Sequence, residues 1–598
     1  GLARLEYRGY DSAGLAVVTS DKEHLAVAKK AGKLVNLAKE VAEHPLEHGT
    51  AAIGHTRWAT HGPPTDTNAH PHLAADGRIA IIHNGIIENY GVLRAEMLAE
   101  GVTFHSDTDT EVAGHLLAHF VRDGLSLTDA MRAVARRLEG AFTLLAVDAA
   151  EPHVVVGTRR NSPLVAGIGE GENFLGSDVV AFIEHTRIAL ELGQDEVVEI
   201  TPDAVRVTDL AGNPVHREPY EVTWDASAAQ KGGFATFMDK EIHDQPAAVA
   251  DTLRGRLNEQ GRLKLDEGLI AESVLSSIDK IIVIACGTAA YAGMVARYAI
   301  EHWTRIPVEV ELAHEFRYRD PVLSIRTLVV AMSQSGETMD TIMALRHAQQ
   351  QGSPVVAIVN VQGSTIAREA DAVLYTRAGP EIAVASTKAF LAQIAAAYLL
   401  GIYLAELRGN KFPDEIAALL SELDAMPAKI QRVLDTSEPL RELARSMVDE
   451  RTVLFLGRHV GYPVALEGAL KLKELAYIHA EGFAAGELKH GPIALVEPGQ
   501  PVFIVLPSPR GREVLHSKVI SNIQEVRARG ARTIVIAEEG DTAAAEHADH
   551  LITVPVTPTL LMPLVTVVPL QIFAHELASA KGFDVDQPRN LAKSVTVE

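Results

Sequence analysis

The chain has 598 residues, 47% hydrophobic and 22% charged, with a formal net charge of −23 at pH 7. That length exceeds what one hydrophobic core serves and predicts about three domains, and the composition excludes disorder, collagen and coiled-coil rods. The acidic balance argues against nucleic-acid or anionic-membrane partners, and a single cysteine, Cys286, excludes an intramolecular disulfide or multi-cysteine metal site and points to a reducing cytoplasm.

In chain order, residues 1–8 carry no signal-peptide pattern. Short β-type runs follow at 14–18, 78–82, 142–147 and 196–200, with helices predicted over 109–122 and 126–139. Many short strands with few long crossovers predict an α+β domain of mostly antiparallel sheet over residues 1–222. Small polar residues at 225–233 mark a linker, bounded here as 223–246. Residues 280–285 are continuously apolar, as a strand covered on both faces should be; a glycine turn and a helix to about Trp303 come next. Strands at 327–332 and 354–359 flank another helix, making a βαβ series and hence a doubly wound parallel sheet. The series returns with strands at 451–457 and 532–537, so two tandem α/β domains, 247–430 and 431–598, follow the first. The most apolar stretch, 560–574, is read as too short to span a bilayer and holds Pro563 and Pro569.

Four places carry chemistry. Residues 54–62, 68–72 and 83–85 cluster histidines with Arg57, Asn84 and Gly85. No His-x-x-x-His pair with an adjacent Glu accompanies them, which argues against a metal; Arg57 with Asp109 can instead hold an amino acid's carboxylate and ammonium, and Asn84 with Gly85 an oxyanion. The loop Ser333-Gln334-Ser335-Gly336-Glu337-Thr338 follows a buried strand and opens a helix, so it suits either a phosphate or a capping box. Its counterpart in the second copy contains Pro507 and Pro509, which lack N–H donors. Glu467, Lys471 and Glu474 share one helical face, fitting either a solvated ion-pair stripe or, among so many apolar neighbours, a buried catalytic group. His490 lies in a loop and suits an acid–base group or a structural histidine.

These motifs resemble the glutamine–fructose-6-phosphate aminotransferase (isomerising) family along nearly the whole chain. The matching stretches are 4–14 (RLEYRGYDSAG), 54–62, 83–89, 106–111, 237–246, 333–338, 384–390 (VASTKAF), 485–492 (AGELKHGP) and 584–598. The resemblance implies a four-layer α+β glutaminase domain of the N-terminal-nucleophile type, then two doubly wound sugar-isomerase (SIS) domains, the second ending in a catalytic tail. The implied reaction turns fructose 6-phosphate and glutamine into glucosamine 6-phosphate and glutamate, the first step of amino-sugar synthesis, with no cofactor or metal. By position, Arg57, Thr60, His61, Gly85 and Asp109 are similar to glutamine-binding residues, Asn84 with Gly85 to the oxyanion hole, and Trp58 to an ammonia gate. Thr288, Ser333, Gln334, Ser335, Thr338 and Val384 match sugar-phosphate contacts. Glu474 resembles the base that moves a proton between C1 and C2, with Lys471 beside it. His490 resembles a ring-opening group shared with a neighbouring subunit, implying a homodimer, and Lys593 the lysine that forms a Schiff base with the sugar. Two departures stand out. Family members start with Cys-Gly-Ile, whereas this chain starts at Gly1 and has no cysteine before Cys286, so the resemblance implies a preceding segment. Ala289 replaces a phosphate-binding serine of some members. A rival reading is a sugar-phosphate isomerase or sensor with an inactive glutaminase-like domain; a sensor has no need of Glu474, Lys471 and Lys593 together.

Overall fold

The computed structural model describes residues 1–6, 9–19, 24–74, 77–222, 231–256, 267–268, 270–511 and 513–596, with the backbone alone at 267, 268 and 513. Its contacts divide the chain into two compact units: Gly1–Ala226 with Ala592–Glu598, and Ser227–Leu591.

In the first unit, a six-stranded antiparallel sheet is centred on Ile79–Ile87, Gly140–Asp148 and Val155–Arg160. Successive residues of Ile79–Ile87 point to opposite faces, so its apolar run serves two cores. Ile79 and Ile81 pack with Val112, Leu116 and Val134, which come from the helices Thr110–Arg122 and Leu127–Arg137. Ala80 and Ile82 meet Ala16, Val18 and Ile53 of a second, three-stranded antiparallel sheet. On that sheet's other side Leu37, from the helix Leu34–Glu43, packs on Ala13 and Ala28. Helix, sheet, sheet, helix is the four-layer α+β arrangement expected.

The second unit contains two parallel sheets of matching order. In the first, Val308–Leu312 lies beside Lys280–Ala285, followed by Thr327–Ser333, Val355–Val359 and Ala372–Tyr375; the short Glu267–Gly268 adds an antiparallel edge. In the second, His479–Ala484 lies beside Thr452–Gly457, followed by Pro501–Val505, Arg532–Glu538 and His550–Val554. Both sheets reverse winding beside their first strand, where doubly wound folds place ligands.

Three boundaries differ from the sequence reading. Residues 223–230 of the expected linker lie outside the described residues, but Phe237–His243 is a helix, its N-terminus capped by Thr236 and by the Asp586 carboxylate, which accepts the Phe237 and Met238 N–H groups at 2.9 Å each. Residues 592–596 belong with the first unit rather than with the second sugar-isomerase copy. From Pro563 the apolar stretch at 560–574 runs into an 18-residue helix, Pro563–Ala580, which, like Lys388–Leu407, is long and apolar enough to cross a membrane. Both have 83% of that apolar window buried in the protein, so their composition is that of core helices.

Candidate active site

In the first unit a cavity of about 120 Å³ has Arg57, Trp58, Thr60, Asn84, Gly85 and Asp109 in its lining, together with Leu2 and Leu5 from the start of the chain and Ser594 and Thr596 from its tail. Arg57 ends the strand Gly49–Arg57, and its guanidinium donates to the carbonyls of His61 and, at 3.3 Å, Gly62, fixing the turn that follows. Asp11 holds the same turn by accepting the Ala59 N–H at 2.8 Å. Asp109 precedes the helix Thr110–Arg122, and its Oδ2 accepts the Ile87 N–H at 2.8 Å. Burial pushes its pKa upward, but the charge and hydrogen bond of His83, the Ile87 amide and His61 prevail and hold the carboxyl at about 2. A buried cation and a buried anion therefore face one small cavity. Gly85 sits at φ 137, and a Cβ there would stand 2.0 Å from the Ala141 carbonyl, so only glycine fits.

Three histidines at or near this cavity are engaged with hydroxyls, while His55 stacks on His70. His83 Nδ1 and His70 Nε2 meet the Thr110 hydroxyl at 3.0 and 3.1 Å, and His72 Nε2 meets Thr108 at 3.0 Å. Burial, reinforced by neighbouring cationic groups, lowers His55 and His72 to about 3, so both are neutral imidazoles. His61 is half-buried with its ring edge-on to Tyr90; it is not among the residues that line the cavity and is tied to them by its backbone carbonyl, which accepts from Arg57.

In the second unit, the helix Gly461–Ala476 carries Glu467 and Lys471 fully buried. The Lys471 ammonium lies 3.3 Å from Glu467, 2.5 Å from Glu474 and 3.1 Å from the Thr288 hydroxyl, which itself donates to Glu467 at 3.2 Å. The stripe is thus an internal network tied to the first copy's glycine turn, and the solvated-face reading falls. Two carboxylates share one ammonium, so burial and the Glu474 charge raise Glu467, while both carboxylates outweigh burial and raise Lys471. Glu474 alone keeps an opening, its side chain 20% exposed.

The loop after Thr327–Ser333 folds on its own hydroxyls. Ser333 Oγ lies 3.0 Å from the Thr338 hydroxyl and accepts the Gly336 N–H at 3.0 Å, and Ser335 Oγ accepts the Glu337 N–H at 3.1 Å. The capping box expected from Ser335 to Thr338 does not form: the helix Met339–Gln350 starts one turn later, with Thr338 at its N-cap and no side-chain cap there. Glu337 instead accepts the Thr365 N–H and hydroxyl at 2.7 and 2.8 Å. In the second copy the Ser508 N–H points to the Met562 sulfur and Arg510 pairs with Glu538, so that loop is occupied by protein; Arg512 lies outside the described residues. Buried Val384 donates its N–H to the Asp586 carbonyl at 3.0 Å. Glu381 braces the same segment through Ser386, Thr387 and Ala389. His490 ends the 3-10 helix Glu487–His490 and is exposed, and Lys593 is half-buried in the segment that borders the first unit's cavity. Asp11, Glu381 and Asp586 were not singled out from the sequence; their signal was a carboxylate inside a matched stretch for Asp11 and Asp586, and three residues before one for Glu381.

The glutamine amidotransferase domain family matches residues 13–215, and the SIS domain family matches 274–403 and 446–580. A glutamine amidotransferase domain followed by two SIS domains is the class that fold and sites define. The glutamine–fructose-6-phosphate aminotransferases [isomerizing] of Corynebacterium efficiens and Streptomyces coelicolor are 67% and 66% identical to it, covering all of this chain and 96% and 97% of theirs. The C-terminal domain of the Francisella tularensis glucosamine-fructose-6-phosphate aminotransferase covers 60% of this chain and all of its own at 38% identity, with a TM-score of 0.56. The chain belongs to the glutamine–fructose-6-phosphate aminotransferase [isomerizing] family.

Proposed function

We propose that this chain moves the amide nitrogen of glutamine onto fructose 6-phosphate, releasing glutamate and glucosamine 6-phosphate. The observation that carries the reading is the buried Lys471 ammonium, held between Glu467 and Glu474 against Thr288, because proton transfer at a sugar carbon needs a carboxylate fixed in place.

Arg57 and Asp109 grip the α-carboxylate and α-ammonium of glutamine, with Thr60 and His61 completing the turn around it. Asn84 and the Gly85 N–H stabilise the oxyanion formed when a thiolate attacks the side-chain amide. Leu2 and Leu5 line the same cavity as Asn84 and Gly85, so the first helix forms part of its wall. Trp58 holds the released ammonia out of solvent. Thr288, Ser333, Gln334, Ser335, Thr338 and Val384 receive the phosphorylated sugar, His490 of a second copy opens its ring, and Lys593 forms an imine with its carbonyl. Glu474 then carries a proton between C1 and C2, with Lys471 fixing its position. Ser594 and Thr596 line the glutamine cavity, so the segment bearing Lys593 also touches the ammonia source. The enzyme works as a cytoplasmic homodimer, without metal, cofactor, nucleic acid or membrane in the reaction.

Borohydride reduction in the presence of fructose 6-phosphate tests the imine. The sugar mass should appear on the peptide containing Lys593 and vanish in Lys593→Arg, which keeps the charge but not the nucleophile. Labelling at another lysine would remove Lys593 from the chemistry.

A further inference from the structure

Cys286, the single cysteine, closes the strand Lys280–Ala285; His314 lies in the helix Ala313–Tyr318, and Asp340 in the helix Met339–Gln350. One donor atom from each lies within 4.8 Å of the others, and all three residues are half-buried. None of the three belongs to the proton-moving group or to the phosphate contacts above. Yet Cys286 directly precedes Gly287 and Thr288, and Asp340 stands two residues after Thr338.

A thiolate, an imidazole and a carboxylate together match the mixed S, N and O preference of zinc and its borderline-soft neighbours, whereas magnesium and calcium select oxygen alone. Three ligands on three separate elements leave a fourth position open. The His314 side chain is 44% exposed, which gives an ion a way in. Its present partner, Glu315 at 3.8 Å, is an exposed pair that contributes little and yields readily. The thiol lies 3.9 Å from the Thr341 hydroxyl, accepts backbone hydrogen bonds from Ala313 and His314, and packs against the apolar cluster that includes Ile284, Phe316 and Ala331.

We propose that Cys286, His314 and Asp340 form a binding site for a zinc-like divalent cation. A bound ion would tie together the two segments that present Thr288 and Thr338, and so alter the grip on the sugar phosphate. Binding itself stands on the geometry; the effect on the sugar rests on the functional reading above.

Cobalt titration of the metal-free 598-residue chain tests this. A thiolate-to-cobalt charge-transfer absorption should saturate at one ion per chain, and with one cysteine present it reports this site alone. Zinc should displace it. His314→Ala and Asp340→Asn should each weaken cobalt binding at least about tenfold with the unfolding midpoint unchanged, and Cys286→Ser should abolish the band. If Cys286→Ser fails to fold, the exposed His314 variant still decides. No band at one equivalent, or equal affinity in the His314 and Asp340 variants, would overturn the site. A band with the expected variant losses but unchanged fructose 6-phosphate affinity under saturating zinc would overturn the coupling and leave the site standing.

Discussion

Lys471 is the single ammonium between two carboxylates, and removing it leaves Glu467 buried without a cation. Lys471→Met should therefore cost about 3–5 kcal/mol of unfolding free energy, read by denaturant titration. Glu467 adds a pH signature of known sign. Burial raises its folded pKa to about 7 from 4.5, so between those values the folded chain holds a proton that the unfolded chain has released. Its contribution to stability accordingly falls as pH rises through that window. Comparing wild type with Glu467→Gln at the two ends should show wild type losing ground toward neutrality, and the opposite slope would refute the assignment. At the phosphate loop, Ser335→Ala and Thr338→Ala should each weaken fructose 6-phosphate binding by roughly 1–3 kcal/mol, while Ser508→Ala in the second copy leaves it unchanged. The residue types and spacings of these groups were legible in the sequence. Their burial was not, because helical spacing places Glu467, Lys471 and Glu474 on one face without saying what that face meets.

At the scale of elements, the apolar run 281–285 announced a buried parallel strand, and the carboxyl ends of this strand and of Thr327–Ser333 present Thr288 and the loop Ser333–Thr338 proposed to hold the sugar phosphate. The strand Ile79–Ile87 is equally instructive, since its two-faced apolar run delivers Asn84 and Gly85 to the cavity. Gly85→Ala should lose roughly 1–3 kcal/mol in thermal unfolding, because φ 137 is strained for alanine and its Cβ would meet the Ala141 carbonyl. Gly91→Ala, in the helix Tyr90–Ala99 with open space around it, should be neutral or slightly stabilising. The helix Phe237–His243 was hidden by the small polar residues before it, although Thr236 and Asp239 sit at the spacing of an N-cap and its third residue. Nothing in residues 592–596 marks their place beside the glutamine cavity: a segment without periodicity has no local signal for a long-range contact.

For the whole molecule, the tandem repeat was visible in strand spacing, and the matching order of the two parallel sheets shows its origin in one fold used twice. The copies then diverged at their loops: the first keeps hydroxyls and free-turning glycine, the second fills its loop with Pro507, Pro509 and the Arg510–Glu538 pair. Glutamine cleavage and sugar isomerisation use different residues, so they should separate. Asp109→Asn should stop ammonia release from glutamine while fructose 6-phosphate is still isomerised to glucose 6-phosphate, and Glu474→Gln should do the reverse. The most direct measurement follows nitrogen. Glutamine labelled with ¹⁵N at its amide is incubated with fructose 6-phosphate and the enzyme, wild type or Glu474→Gln, and the amino sugar and free ammonia are read by mass spectrometry. The account predicts labelled glucosamine 6-phosphate from the wild type, and labelled ammonia without amino sugar from Glu474→Gln. Labelled amino sugar from Glu474→Gln at the wild-type rate, or none from a wild type that hydrolyses glutamine, would contradict it.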